Sequence, residues 1–183
     1  MTSTTPATAA SPVPVRGEVR ESIRDFLYLE SLALDEHRFR DWLEMFAADG
    51  RYEIPVRVNR EKFAEWELSP KARIFDDTRE TLEVRVRRLE TDFAWAEQPP
   101  SRTRHYLTNV LVFATEKPDE FLACSNCLVY RSRGTDAEPT WYSAQRRDRL
   151  RRGDSAPGGW LFVHRWAALD QAMINARNMS IFV

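Results

Sequence analysis

Three residues of this chain have the types that general acid/base chemistry needs: His105, Asp35 and Tyr52. His105 lies in a run rich in β-branched and aromatic residues, Arg102-Thr-Arg-His-Tyr-Leu-Thr-Asn-Val-Leu-Val-Phe113. A period of two puts His105, Leu107, Asn109, Leu111 and Phe113 on one face, and Tyr106, Thr108, Val110 and Val112 on the other. With apolar residues on both faces the strand is covered on both sides, so His105 and Asn109 are expected to point into a cavity or a neighbouring subunit. If helices close over a bent sheet, Asp35 can orient His105 while Tyr52 polarises a carbonyl, which would equip a free-standing lyase or isomerase. A plainer reading stands beside it: a single histidine on a strand is more often a satisfied interior or interface side chain. An enclosed pocket with the three side chains converging favours the enzyme, and a cone filled by Phe and Trp excludes it.

The other chemical groups point away from metal and redox work. Cys124-Ser-Asn-Cys127 has the spacing of a redox pair, but such pairs open a helix, where the dipole lowers a thiol pKa. Here the two cysteines fall mid-strand, three apart, so they project to opposite faces and read as packing. A structural zinc needs four convergent nitrogen or sulfur ligands, and a Rieske-type cluster needs C-x-H and C-x-x-H. Asn126 stands two places after Cys124 and Tyr130 three places after Cys127, so neither pattern is present. His37, His105 and His164 lie about sixty residues apart, which neither favours nor forbids an iron held by two His and a carboxylate. No metal is expected in this chain. Gln145-Arg-Arg-Asp-Arg-Leu-Arg-Arg152 resembles a nucleic-acid patch, yet alternation splits it: Arg147, Arg149 and Arg151 share one face, and Arg146, Asp148, Leu150 and Arg152 the other. No aromatic is interleaved for base stacking, and the formal net charge is only −1, so a solvated or subunit-facing strand is expected and no nucleic-acid partner.

These groups must be positioned by a fold that 183 residues can build as one domain, burying about 70% of the unfolded surface. Charged residues make up 30% and mean hydropathy is −0.54, as in a globular protein with a charged exterior. No run of 18 apolar residues exists, so no membrane span is expected, and two cysteines suit a reducing cytoplasm. Residues 1–16 are rich in Thr, Ser, Ala and Pro, with no basic start and no apolar core, and read as a disordered leader rather than a secretory signal.

Helical spacing begins near Gly17 with Val19, Ile23, Phe26, Leu27 and the Glu30 to Leu34 run. A second helix, Arg38 to Phe46, carries the stripe Phe39, Trp42, Leu43 and Phe46, with Asp35 as cap and Asp49-Gly50 as the turn that ends it. Tyr52, Ile54, Val56 and Val58 alternate as a strand in which Pro55 implies an edge or a bulge. Asn59 to Phe75 reads as a loop. Asp77-Thr-Arg-Glu80 has capping-box spacing before a helix burying Leu82, Val86, Leu89 and Phe93. After Pro100 come four strands, Thr103–Thr115, Phe121–Arg133, Thr140–Arg152 and Trp160–Asp170, joined by turns into an antiparallel meander. The sum is α+β: a strongly bent, mostly antiparallel sheet with the N-terminal helices packed in its concavity, spanning residues 17–183 as one domain.

Several separated stretches carry a family resemblance. Asp35-Glu-His-Arg-Phe-Arg-Asp-Trp-Leu-Glu-Met-Phe46, leading to Asp49-Gly-Arg-Tyr-Glu-Ile-Pro55, resembles the opening of NTF2-like cones. Phe75-Asp-Asp77, Ala94-Trp-Ala-Glu97, Pro99-Pro-Ser-Arg-Thr-Arg-His105, Asn109-Val110, Val129-Tyr-Arg-Ser-Arg133, Arg146-Arg-Asp148, Leu169-Asp-Gln171 and Asn178-Met-Ser-Ile-Phe182 resemble the small (β) subunit of Rieske-type aromatic-ring-hydroxylating dioxygenases. Met179 stands where Leu is expected and Thr108 where Ser is expected. The resemblance implies a subunit without a catalytic centre. Its large (α) partner would hold the 2Fe–2S cluster and non-haem iron of an α3β3 hexamer that dihydroxylates aromatic rings with O2 and NAD(P)H in aromatic catabolism. On this reading Trp95, Arg102, Arg104, His105, Trp141, Arg165, Asp170 and Gln171 are expected at contacts with other chains, since Trp and Arg are favoured interface anchors.

Overall fold

The first helix, α1, spans Glu18–Asp35 because its apolar residues recur at helical spacing; Ile23, Phe26, Leu27, Ala33 and Leu34 are buried along one side. In this computed structural model, residues 13–58, 67–91, 99–134, 138–153, 156–173 and 181–183 are described. Contacts begin slightly before Gly17: the Val15 amide donates to the Val112 carbonyl at 2.7 Å, and Val15 packs against the core. His37, with φ 56°, turns the chain through the left-handed region into a short α2, Phe39–Glu44. Asp35 does not cap α2. It is the last residue of α1, and the N-cap position, Arg38, makes no side-chain cap hydrogen bond.

The helical stripe expected to reach Phe46 breaks there, and strand β1 runs Phe46–Arg57. Asp49-Gly50 therefore lies inside β1, at a register irregularity between Phe46 and Arg51 where the strand pairs with β6. Only glycine fits at position 50, because a Cβ would stand 2.7 Å from the Ala47 carbonyl oxygen and 2.9 Å from that of Phe162. Pro55 sits at a bulge against β2, not on an edge, where its missing N–H disrupts no ladder bond. The expected loop up to Phe75 is replaced over its second half by strand β2, Leu68–Thr78. Its successor α3, Arg79–Leu89, is capped by Thr78 rather than Asp77, with Thr81 closing the box in place of Glu80. Asp77 lies within β2 instead, one residue before its end, its carboxylate accepting from Arg85 Nε at 2.8 Å. Phe93 lies outside the described residues.

The remaining strands, β3 (Arg102–Ala114), β4 (Glu120–Ser132), β5 (Thr140–Arg152) and β6 (Trp160–Leu169), form the meander that the turns predict. Among the described residues the sheet has six strands in the order β2-β1-β6-β5-β4-β3. Every pair is antiparallel except β1 with β6. The helices cover the concave face. Aromatic rings fill the space between: Phe26 meets Phe162 at 4.9 Å, Trp42 meets Phe46 at 5.0 Å, and Tyr52 meets Phe75 at 5.4 Å between centroids.

One departure resets the parity of β3. Asn109 adopts φ 55° in a bulge between Thr108 and Leu111. Thr103, His105 and Leu107 face inward before it, and Val110 and Val112 after it, while Asn109 and Leu111 are exposed. Asn109 thus does not share the His105 face, because one extra residue flips every side chain beyond it.

Candidate functional site

His105 is held from three directions. Its Nδ1 lies 2.6 Å from Asp35 Oδ1, its backbone N–H donates to Asp35 Oδ2 at 3.0 Å, and its Nε2 lies 3.0 Å from the Phe182 carbonyl oxygen. That carbonyl can only accept, so Nε2 carries a proton and donates. Burial pushes the Asp35 carboxyl up, but the hydrogen bonds and charge of His105 outweigh it and hold the group below its ordinary value. Asp35 at Nδ1 and the Phe182 carbonyl at Nε2 thus engage both ring nitrogens within the protein.

Tyr52 belongs to the same arrangement, one residue further along. Its hydroxyl donates to the Val183 carbonyl at 2.9 Å and accepts from the Val183 amide at 2.9 Å. Complete burial raises its pKa above the ordinary phenol value. His105 and Tyr52 thus both hold the backbone of Phe182–Val183, with Asp35 behind His105, and this segment is sunk into the cone with the Phe182 ring stacked on Trp42 at 4.1 Å. With both ring nitrogens engaged inside the protein, His105 offers a substrate no free nitrogen. The cone is filled by Phe26, Trp42, Phe46, Phe75, Phe162 and Phe182, the filling that excludes the free-standing lyase or isomerase.

Deeper in the cone lies a charged cluster that strand parity hints at and residue type conceals. Glu30 of α1, Arg146 and Asp148 of β5 and Arg165 of β6 are all 0% exposed. Arg165 binds Glu30 at 2.6 Å and Asp148 at 2.8 Å; Arg146 binds Glu30 at 3.1 Å and Asp148 at 3.0 Å; the Trp42 indole N–H donates to Glu30 at 3.0 Å. Complete burial pushes Asp148 up to about 7 against the pull of Arg146. The cluster joins α1 to two neighbouring strands, a structural tie with charges paired two against two. Arg165 is therefore withdrawn from the expected interface set: its guanidinium is wholly inside the chain.

The other expected interface residues divide. Trp95 lies outside the described residues. Arg102 and Arg104 are exposed, and Arg104 pairs across the ladder with Tyr130, which pairs with Trp141, so the three share the outer face. Trp141 is 47% exposed and meets Tyr130 edge-on at 5.0 Å. Gln171 donates from Nε2 to the Trp141 carbonyl at 2.8 Å, and the Ser143 hydroxyl donates to Asp170, so both residues brace the edge of the same patch. Tyr106, 52% exposed, and its ladder partner Leu128 extend the patch by one row, and outward parity with apolar type is the sequence signal that places them there. His105 faces inward instead.

Among the described residues no three His, Cys, Asp or Glu side chains come together to hold a metal ion. Cys124 is half-buried on the outer face and Cys127 buried on the inner one, where burial raises its thiol to about 11. His164 on the outer face is engaged with Glu53 at 3.3 Å.

The model of the family described as ring hydroxylating beta subunit matches residues 29–176. The chain belongs to that family. It is the non-catalytic β subunit of a ring-hydroxylating dioxygenase. The β subunit of 3-phenylpropionate/cinnamic acid dioxygenase from Photorhabdus laumondii is 41% identical over 172 residues, covering 91% of this chain and 93% of that protein. In fold, this β subunit matches a chain of naphthalene 1,2-dioxygenase with indole bound in its active site (TM-score 0.81, 20% identity, 96% of this chain and 90% of that one). It also matches the β subunit of benzoate 1,2-dioxygenase from Burkholderia mallei (TM-score 0.63, 22% identity, 85% and 93%). The sheet that carries Trp141 outward and Arg165 inward is thus the shared frame of the family, an NTF2-like α+β cone.

Proposed function

We propose that this β subunit acts as an assembly subunit in the cytoplasm, joining three large subunits into a hexamer of three α and three β chains. On this reading each large subunit carries the 2Fe–2S cluster and the non-haem iron, and the complex uses O2 and NAD(P)H to dihydroxylate an aromatic ring in aromatic catabolism. The single observation that supports it best is a contrast between faces. Inside the cone His105, Asp35 and Tyr52 are each bonded to the chain's own backbone, while outside, Arg104, Tyr106, Leu128, Tyr130 and Trp141 form one aromatic and basic patch. Such a patch has the composition of an interface core, rich in aromatics and Arg. The 41% identical relative points to aryl-substituted carboxylic acids, 3-phenylpropionate and cinnamate, as the first substrates to try.

The test is to purify the chain alone and with its large subunit, then measure mass and iron in each. A hexamer with iron only when the large subunit is present supports the reading. An isolated chain that carries a redox metal, or turns over substrate unaided, sinks it. Trp141→Ala should weaken assembly at least about tenfold, the scale of an interface anchor, while leaving the melting temperature of the isolated chain unchanged.

A further inference from the structure

We infer that the slot at the mouth of the cone is a binding site for a compact, uncharged, apolar molecule of about one ring. The slot holds about 220 Å³. It lies between the end of α1, the start of β3, the end of α3 and the C-terminal Ile181–Phe182 segment, and Leu34, Phe39, Leu89, Ile181 and Phe182 supply its apolar walls. A dry protein cavity of about 150 Å³ lined by Leu, Ile and Phe takes up benzene, so this one has room for a ring with a small substituent. The ring geometry suits an aromatic guest: Phe39 lies near-parallel to His37 at 5.7 Å and edge-on to Phe182 at 6.2 Å, giving both face and edge contacts.

The polar groups around the slot decide the charge of the guest. Both nitrogens of His105 are bonded, to Asp35 and to Phe182. His37 Nε2 is bonded to the Ser101 carbonyl at 2.9 Å, and the Ser101 hydroxyl accepts from Arg131 at 2.8 Å. At the lip, the Glu90 carboxylate holds Arg40 through two bonds at 2.7 and 2.6 Å. A carboxylate entering here would give up its hydration, find both ring nitrogens of His105 engaged, and meet a lip whose arginine is already held by Glu90. A neutral ring gives up nothing comparable. This inference concerns the chain itself and stands whether or not the proposed hexamer forms.

The experiment titrates the full chain with toluene and, separately, with benzoate, following the ligand by NMR and the protein by its melting curve. Saturable binding of one toluene per chain is expected, with benzoate at least about tenfold weaker. Leu89→Trp fills the slot and should abolish toluene binding at an unchanged melting temperature. If that variant is unstable, Leu89→Phe and crystals of the wild-type chain under xenon pressure replace it; xenon must then appear between Phe39, Leu89 and Phe182. Toluene that fails to saturate, that binds a well-folded Leu89→Trp chain unchanged, or that is matched by benzoate would each overturn the inference, as would an absence of xenon from the slot.

Discussion

Replacing His105 with alanine separates a structural dyad from a catalytic one. The ring is almost fully enclosed, with its side chain 2% exposed, and it makes a charge-assisted bond to Asp35 and a bond to the Phe182 carbonyl. Alanine removes both donors. Asp35 keeps only part of its shell, including the backbone N–H at position 105, and the Phe182 carbonyl is left in the cone without its donor. A bond to a charged group contributes about 1.5–3 kcal/mol, and a buried acceptor left without its donor costs about 1–3 kcal/mol. The expected loss is about 4 kcal/mol. For a chain of this size each kcal/mol lowers Tm by about 2–4 °C, so scanning calorimetry should show a drop of about 8–16 °C. Complexes with the large subunit that still form should turn over normally per iron. An unchanged Tm would show that the dyad ties nothing down, and turnover lost with assembly intact would show that His105 takes part in the chemistry.

Glu30→Gln should cost about 3–5 kcal/mol in urea unfolding, because it leaves Arg146 and Arg165 buried with Asp148 alone to balance them; a loss below about 1 kcal/mol would mean that the cluster is loosely held. Glu53 supplies a pH signature. His164 and then Arg73 hold its carboxyl at about 2 against an ordinary 4.5, despite some burial. A depressed acid stabilises the fold above its unfolded pKa, so this contribution is complete above pH 4.5 and lost as pH falls towards 2. The shift corresponds to about 3 kcal/mol, and solvent screening at this partly exposed pair reduces it to about 1–2 kcal/mol. The difference in stability between wild type and Glu53→Gln should therefore shrink through that window; a constant difference from pH 6 to pH 2 would refute the pairing.

What the sequence conveys is governed by where the physical signal resides. Strands β3 to β6 are legible because alternation and turn residues are local, and their ends fall within about two residues of expectation. The edge strand β2 is not, since Leu68 to Ala72 carry Ser, Pro and Lys and bury little, so pairing with β1 alone decides its conformation. The bulge at Asn109 hides inside an unbroken apolar alternation, and its only trace is the tolerance of Asn for positive φ. Asp35 and His105 can be paired by type, but the other partner of the His105 ring, the Phe182 carbonyl, lies 77 residues beyond it and no periodicity announces it. The same alternation explains the functional division. On β5 it sends Arg146 and Asp148 inward to Glu30 and Arg165, and on β3 to β5 it sends Arg104, Tyr106, Leu128 and Trp141 outward. Inside the cone the charges of Glu30, Arg146, Asp148 and Arg165 are paired with one another, whereas Tyr106, Leu128 and Trp141 on the outer face are left exposed by this chain's own packing. On the proposed assembly reading, the outer face of β3 to β5 is therefore the surface through which this subunit would act, because the pairing of His105, Asp35 and Tyr52 inside the cone is complete without a partner.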